Sequence, residues 1–488
     1  MVINSALGGD GTYIISQGTV FNNVDLSNVN ISVDGTLYKG EAITVATGVT
    51  AIDTAEVTNK GELDLVLEQS GTDLILKEVK KQVITSSGNE NTFANEEGKG
   101  NNLIVTIDEN ITANKVFSGS DSGKDGKIET IMENGTITNF YGGGKVSAES
   151  TNLTVSGGTI TSCVYGGVMA DKAGEEITLA GSTLNITGSA DIAAYIVGGA
   201  RVDGGTASVG NVELNITGGA LQRDDIYAYT WGAGYVRGGE LTVEKATVNL
   251  SASLDGDIFG GAHSRNNGSA TVENSFVNVT DGTFRRVFGG GWSQHQGTSH
   301  VENVKMDISG GTIFAVYAGG ANSAENISSI GNAEINVSKD ADITNIYLTG
   351  RHKEGTVSGN VTLNFNGGTV DYISGITPGG FDQGGTTTAV FNSDITDLVI
   401  DGLDILAVKQ DVTVNMIEEV DLTDFQELQF VIDVDTFGDS WTALTSKMEI
   451  DTTGIIFSYV DASGAAVSGF NAAVSEDKKS ILVTKVNN

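Results

Sequence analysis

The segment 287–300, VFGGGWSQHQGTSH, places a tryptophan and two histidines directly after three glycines, in a chain with only three tryptophans and four histidines. The flat indole of Trp292 could stack on a sugar ring. A metal centre is the other chemistry that histidines suggest. However, His263, His295 and His300 lack both the H-x₃-H spacing on one element and the cysteine partner that support a zinc site. The residues therefore indicate a ligand-binding segment and leave the identity of any metal open.

Equivalent positions after other glycine pairs also carry basic or aromatic side chains. If the pairs are corners of a repeat, stacking brings these groups into a stripe that one extended ligand could cross. An acidic or neutral polysaccharide fits such a stripe, with Trp292 on a sugar ring and His263, Arg265 and Arg351 binding carboxylate or sulfate. Alternatively, the corners simply face water and their cations balance the acidic faces. The candidate ligand-binding residues are His263, Arg265, Trp292, His295, His300, Arg351 and His352.

A polysaccharide-degrading enzyme would need paired carboxylates about 5–9 Å apart, or a calcium-binding aspartate cluster beside a basic catalyst. Asp225, Asp257 and Arg286 fall on roughly equivalent segments before glycine pairs. The alternative is that they are ordinary outward-facing strand residues. We therefore predict no catalytic residues and no cofactor, although the acidic residues leave Ca²⁺ binding open. The other members of this candidate enzyme set are Arg223, Asp224, Asp255 and Arg285.

The glycine pairs belong to an internal repeat. Seven segments join an aromatic or aliphatic residue to the glycines: FYGGG, VYGGV, IVGGA, TWGAG, IFGGA, VFGGG and VYAGGA. Their spacing of about 29 residues is typical of a solenoid. A second column in the same register alternates apolar and polar residues, with asparagine central in LNI, VNL, VNV, INV and LNF. This alternation indicates β-strands whose asparagines face away from the flanking apolar pairs.

Three short strands and three turns per repeat predict an all-β fold, a parallel β-helix solenoid of about nine coils over residues 105–390. A right-handed solenoid is expected, because parallel crossover connections are right-handed by default. We expect the corner glycines to serve positive φ or close approach between coils. The aromatics before them should stack inside the tube, and the asparagines should form a hydrogen-bonded ladder.

The two ends differ from the repeat array, and residues 1–104 and 391–488 are interpreted as β-rich caps or flanking domains. The N-terminal region contains a hairpin-like pair, LDLVLEQ–SGTD–LILKEVKK. A charged loop, NENTFANEEGKGNN, is expected between this pair and the array.

Composition limits the classes of partner. The formal net charge is −35, with 27 Lys and Arg against 62 Asp and Glu, which argues against nucleic acid because such partners require clustered cations. No run approaches the roughly 18 apolar residues of a transmembrane helix, and the N-terminal MVINSALGGDG lacks the features of a signal peptide. Cys163 is the single cysteine; it excludes an internal disulfide framework and is expected to be a small core residue.

Repeats of the form N-h-T-G-G-T-h…V-Y-G-G-G, where h is apolar, resemble those of bacterial cell-surface β-helix proteins, especially autotransporter passenger and adhesin-like proteins. The resemblance covers the middle of the chain and implies an extracellular location at the bacterial surface. The favoured hypothesis is a secreted or surface-displayed, non-catalytic adhesin or scaffold protein that binds a glycan or a surface partner along one solenoid edge. Two alternatives stay open: a polysaccharide lyase or glycoside hydrolase on a β-helix, and a self-assembling surface-layer or filament subunit.

Overall fold

The alternating segments of the sequence form the strands of a parallel β-helix. The computed structural model describes residues 102–486 except 221–227, 324–326, 352–354, 377–384 and 418–424, together with 87–100, 73–85 and short strand segments before them. Every regular element in this described part is a β-strand, and most strand pairings are parallel. The predicted all-β solenoid is therefore confirmed.

The strands follow one another with short connections. The first are β1 (Val2–Ile3), β2 (Thr12–Ile15), β3 (Val20–Asn22), β4 (Asn30–Val33), β5 (Ile43–Thr47), β6 (Val57–Asn59), β7 (Leu65–Ser70), β8 (Asp73–Ile84), β9 (Gly88–Lys99) and β10 (Asn102–Ile107). The next are β11 (Thr112–Met132), β12 (Thr136–Tyr141), β13 (Ala148–Val155), β14 (Thr159–Tyr165), β15 (Met169–Ala170), β16 (Glu176–Ile186), β17 (Asp191–Ile192), β18 (Tyr195–Val197), β19 (Ala200–Val202), β20 (Thr206–Ile216), β21 (Ala228–Trp231), β22 (Gly234–Leu250), β23 (Leu254–Phe259) and β24 (His263–Val279).

The second half continues in the same way. Its strands are β25 (Thr283–Phe288), β26 (Trp292–Gln294), β27 (Thr298–Ile308), β28 (Thr312–Tyr317), β29 (Ala321–Asn322), β30 (Ile327–Ser338), β31 (Asp342–Tyr347), β32 (Gly355–Val357), β33 (Val361–Asn366), β34 (Thr369–Ser374), β35 (Thr387–Phe391) and β36 (Ile395–Asp401). The last are β37 (Ile405–Lys409), β38 (Val414–Met416), β39 (Glu427–Val431), β40 (Ser440–Ser446), β41 (Ile456–Val460), β42 (Phe470–Val474) and β43 (Ser480–Lys485).

One coil of the solenoid contains three strands, for example β26, β27 and β28. β27 pairs in parallel with β24 of the preceding coil and β30 of the next, so that Met306 lies between Val277 and Ile335. Hydrogen-bonded equivalents in the central coils are 28 to 34 residues apart along the chain. The branched side chains of valine, isoleucine and threonine favour such strands because they pack well on a pleated surface.

Alternation within each strand separates the interior from the exterior. In β20, Leu214 and Ile216 are fully buried in the main core, whereas Asn215 between them faces outward. Asn215 donates a hydrogen bond to Asn185 at 2.9 Å and accepts one from Asn249 at 2.7 Å, which confirms the predicted ladder. Its further rungs join Asn278 to Asn249, Asn336 to Asp307 and Asn364 to Asn336.

The two reasons predicted for glycine apply at different corners of the coil. At Gly166, a Cβ atom would overlap the carbonyl oxygen of Gly198, which belongs to the next coil. Gly311, in the turn before β28, instead has a φ of +83°, a conformation that residues with a Cβ rarely adopt. The glycine pairs therefore let neighbouring coils approach each other at the corner that carries the candidate site.

Parallel pairing extends on both sides of residues 105–390. Before this range, β10 pairs with β8 and β9 pairs with β11; after it, β41 pairs with β39 and β38 pairs with β40. Antiparallel pairing joins β7 to β8, which confirms the hairpin-like pair, and joins β43 to β40 and β42 near the C-terminus. The charged loop expected at 89–102 is wrong, because β9 occupies most of it. Its polar side chains concealed a strand that the neighbouring coil holds through backbone hydrogen bonds.

Candidate binding groove at the glycine corner

The residue before each glycine pair lies outside the tube. In β25, Val287 belongs to the main core and Phe288 to a second hydrophobic cluster, because successive strand residues face opposite sides. Phe288 is nevertheless fully buried, because its ring stacks between those of Phe259 and Tyr317. The distances between ring centroids, used for all ring contacts below, are 4.5 and 4.6 Å. The predicted stacking is confirmed, but the predicted place inside the tube is wrong, because Val287 and its equivalents fill the interior. Other stacked pairs in this column are Phe93–Phe117, Phe117–Tyr141, Tyr141–Tyr165 and Tyr317–Tyr347 at 4.4–4.8 Å.

A second column of outward side chains begins directly after the glycines. Its rings touch those of the first column: Trp231 and His263 lie 4.7 Å apart, and Phe259 and Trp292 lie 5.7 Å apart. If the corner were convex, the outward side chains on its two sides would point away from each other. Because the rings of the two columns are in contact, the chain must bend toward the side on which these rings lie. The two columns therefore line a concave surface, here called the corner groove. The second column includes Met169, Arg201, Tyr235, His263, Trp292, Ala321 and Arg351.

His263 is enclosed by aromatic rings in the middle of the corner groove. Its imidazole is stacked between Trp231 at 4.7 Å and Trp292 at 4.9 Å, and the edge of Tyr235 lies 5.0 Å away. The side chain is 3% exposed, and both of its ring nitrogens are buried. Burial, and next the nearby Arg265, lower the pKa of His263 to about 3. Burial in the ring stack disfavours the cationic form of this imidazole, which packs between the rings. The anion binding that we predicted for His263 stays a prediction.

Trp292 and Arg265 lie at the surface of the same groove. Trp292 is half-buried and Tyr229 approaches it at 4.8 Å. Arg265 is half-buried on β24, opposite Gln294 of the next coil. His295 is exposed in the turn between β26 and β27, where its φ is +47°. The structure therefore brings Trp292, Arg265 and His263 together and places His295 at the edge of this group.

The other predicted residues lie further away. His300 is on β27, beyond that turn, where its Nδ1 bonds to the Ser329 hydroxyl at 2.9 Å and its Nε2 to Glu302 at 3.1 Å. Arg351 is at the far end of the second column, and its Nη1 lies 3.9 Å from a carboxylate oxygen of Asp257. His352 lies outside the described residues.

Asp257 and Arg286 form a buried ion pair beside the aromatic column. Arg286 donates from Nε and Nη2 to the two carboxylate oxygens of Asp257, both at 2.6 Å. The two residues face each other in the register between β23 and β25, and the side chains of Asp257 and Arg286 are 4% and 9% exposed. A carboxylate held by two charge-assisted hydrogen bonds is committed to its arginine and is poorly placed for proton transfer.

Of the other residues weighed for an enzyme, Asp255 is exposed and Arg285 is half-buried on these same strands. Arg223, Asp224 and Asp225 lie outside the described residues. The sequence had placed Asp257 and Arg286 on equivalent segments of the repeat, 29 residues apart, and their opposite charges were the signal for the ion pair that the structure forms.

Arg201 makes a second polar cluster toward the N-terminal end of the groove. Its guanidinium donates to the hydroxyls of Tyr141 and Tyr165 at 3.1 and 3.2 Å and to Asp203 at 2.7 and 3.0 Å. Burial raises the pKa of Tyr141 to about 12, so this hydroxyl stays neutral. Cys163 is buried in the same aromatic cluster, where burial raises the pKa of its thiol. The sequence had indicated a buried cysteine, although not among these rings.

Comparison with protein families, with curated proteins and with solved structures found no match to this chain. In the part of the chain that the structure describes, no helix has the length and apolar character needed to cross a membrane. Within the same ranges, no three His, Cys, Asp or Glu side chains are grouped so as to hold a metal ion. Calcium binding stays a prediction.

Proposed function

We propose that this protein is a non-catalytic glycan-binding solenoid, secreted or displayed at a bacterial cell surface as an adhesin-like or scaffold protein. The observation that carries the proposal is the half-buried Trp292 at the surface of the ring stack in the corner groove. Indoles bind the apolar faces of sugar rings well. Contacts with His263 and Phe259 hold this indole in one orientation, which lowers the entropy lost on binding.

The groove suits an extended ligand. Coils repeat along the solenoid axis at about 4.8 Å, so a linear polysaccharide that runs along this axis meets equivalent positions in successive coils. Tyr229 and Tyr347 are half-buried in the same groove, and Arg265 and Arg351 add positive charge there. In a chain of net charge −35, such a patch distinguishes the groove electrostatically from the other faces.

The location at a bacterial surface rests on the resemblance of the repeats to cell-surface β-helix proteins. A long rod suits this role, because a solenoid presents a large lateral surface for its size. The strongly acidic composition is consistent with a protein that stays soluble outside the cell at high local density.

A glycan-array screen tests the proposal. Wild type is compared with Trp292→Ala and Arg265→Ala. The matched controls are Phe276→Ala and Lys305→Ala, which remove an aromatic ring and a positive charge from β24 and β27 away from the corner. We expect the wild type and both controls to bind a defined set of glycans, and Trp292→Ala to lose most of this signal. Binding that is equal in all five proteins, or absent from the wild type, contradicts the proposal.

A further inference from the structure

Arg351 reaches across several coils to the buried pair of Asp257 and Arg286. It follows Tyr347, and the register from β31 back to β23 places Asp257 three coils away. Three coils span about 14 Å, so the arginine must lie extended along the axis of the solenoid. Two of the positions between them carry buried alanines: Ala315, which faces Arg286 in the register, and Ala321 in the second column. Small side chains at these positions leave room for the long one.

Two guanidinium groups here face one carboxylate. Asp257 is already neutralised by the bidentate contact with Arg286. At 3.9 Å, Arg351 is too far from this carboxylate for a hydrogen bond, and no hydrogen bond joins its side chain to the residues that the structure describes. Burial, and next the positive charge of Arg286, lower the pKa of Arg351 from its ordinary value. The site therefore carries an excess positive charge that is partly removed from water.

An extended arginine without a hydrogen-bonded partner is costly. Ordering this long side chain costs rotamer entropy, and its charge is desolvated without full compensation. Stability does not require the residue there, because Asp257 has its partner without it. Access is available, since the Arg351 side chain is 34% exposed. The half-buried Tyr347 lies beside it and supplies a hydroxyl group at the same surface.

We propose that the carboxylate or sulfate group of an acidic sugar binds between Arg286 and Arg351. The inference rests on the glycan-binding function proposed above and adds the chemical class of the glycan. The planar fork of Arg351 matches the two oxygens of such a group. Arg286 uses Nε and Nη2 on Asp257, which leaves its Nη1 for the anion. The anion neutralises the excess charge, and Asp257 keeps Arg286 in place. Acidic glycans are therefore preferred over neutral ones at this end of the groove.

Isothermal titration with three probes tests the proposal: a tetrasaccharide of galacturonic acid, the corresponding tetrasaccharide of galactose, and inorganic sulfate. Wild type should bind the acidic sugar at least about 10-fold more tightly than the neutral one, the value of one charge-assisted hydrogen bond. Arg351→Gln should remove this preference and leave the affinity for the neutral sugar unchanged. Lys305→Gln, which removes one positive charge from a different face, should keep the preference.

Asp257→Asn is a second test, in which the affinity for the acidic sugar should increase. It removes the carboxylate that competes for Arg286 and keeps a side-chain oxygen as acceptor, so the affinity for the acidic sugar should rise several-fold. Arg351→Gln decides the question if this variant fails to fold.

The outcomes separate the two proposals. Equal affinity of the wild type for the two sugars overturns the acidic subsite and leaves glycan binding intact. Binding of sulfate that Arg351→Gln abolishes, with neither sugar bound and an empty glycan array, overturns the glycan function and keeps the anion site. An acid preference that persists in Arg351→Gln places the recognition elsewhere and overturns the subsite.

Discussion

Asp257 accepts both hydrogen bonds of Arg286 across two adjacent coils, with N–O distances of 2.6 Å and almost no exposure to solvent. A solenoid can bury such a pair because parallel register places repeat-equivalent residues directly above one another. Opposite charges at the same repeat position of adjacent coils therefore come into contact when the coils stack. The pair lies on the outer face of the strands, so its burial depends on the neighbouring aromatic column.

Removal of one partner should be costly. Asp257→Ala leaves the Arg286 guanidinium buried without its carboxylate, which typically destabilises a protein by about 3–5 kcal/mol. The double substitution Asp257→Leu with Arg286→Met should be less destabilising than the single one, because no buried charge remains. Urea unfolding followed by tryptophan fluorescence measures both. A double variant that is less stable than Asp257→Ala would mean that the pair itself supplies net stability.

The buried His263 should make the stability depend on pH. Its pKa in the folded protein is about 3, below the usual value near 6.5, so the unfolded chain binds the proton more readily between these values. This contribution therefore weakens the folded state as the pH falls from about 6.5 to 3, with a slope of up to about 1.4 kcal/mol per pH unit. Above pH 6.5 it has no effect.

His263→Phe keeps a stacked ring and removes the titrating group. The difference in unfolding free energy between His263→Phe and wild type should grow as the pH is lowered from 7.5 to 5. His295→Asn serves as the control, because this side chain is exposed in a turn and asparagine tolerates its positive φ. Fluorescence is a local readout here, since Trp231 and Trp292 stack on His263. A constant difference across this range would contradict the buried neutral state.

Each ring of the aromatic column outside the tube should contribute as much to the free energy of unfolding as a side chain of the main core. Phe288→Ala removes a fully buried ring with stacked neighbours on both sides, and a loss of about 3–5 kcal/mol is expected. Phe314→Ala, on the next coil, removes a ring that is 58% exposed and should change stability by about 0.5 kcal/mol or less. The urea midpoints of the two variants provide the comparison. Similar losses in both would show that the column is not a packed cluster.

The rungs of the asparagine ladder should contribute additively to stability along the axis. Asn249 donates to Asn215 and accepts from Asn278, both at 2.7 Å, so Asn249→Ala removes two rungs at once. A loss of about 1–2 kcal/mol is expected, because each net hydrogen bond contributes about 1 kcal/mol. The terminal Asn364 donates to Asn336 at one side, and Asn364→Ala should cost about half as much. Thermal unfolding of the two variants measures the ratio, and equal losses would argue against additive rungs.

Much of this fold could be predicted from the repeat alone. The asparagine column and the glycine pairs recur in one register, and period-two alternation assigns the interior to Leu214 and Ile216. The place of Phe288 could not be inferred in the same way, because an apolar residue beside an apolar residue gives no alternation to follow. Both Val287 and Phe288 look like core, and only the concave bend shows that two apolar layers exist.

The candidate site was predicted in part. Trp292 and Arg265 lie in the groove as neighbours of His263, but the sequence could not reveal that His263 is enclosed. Its burial depends on Trp231, which is a repeat away in the chain and stacks on it only after the corner forms. The contact of Arg351 with Asp257 was also beyond prediction, because it spans three coils and depends on small residues between them.

Hydrogen exchange of the wild-type backbone amides, with and without the tightest-binding glycan from the array, tests the central claim most directly. If the corner groove binds the glycan, protection should rise in β21, β23, β25 and the glycine corners that follow them. It should be unchanged in the C-terminal halves of β20, β24 and β27, which carry the asparagine ladder. Protection that appears on the ladder face, or at the chain ends without the corner, would contradict the account.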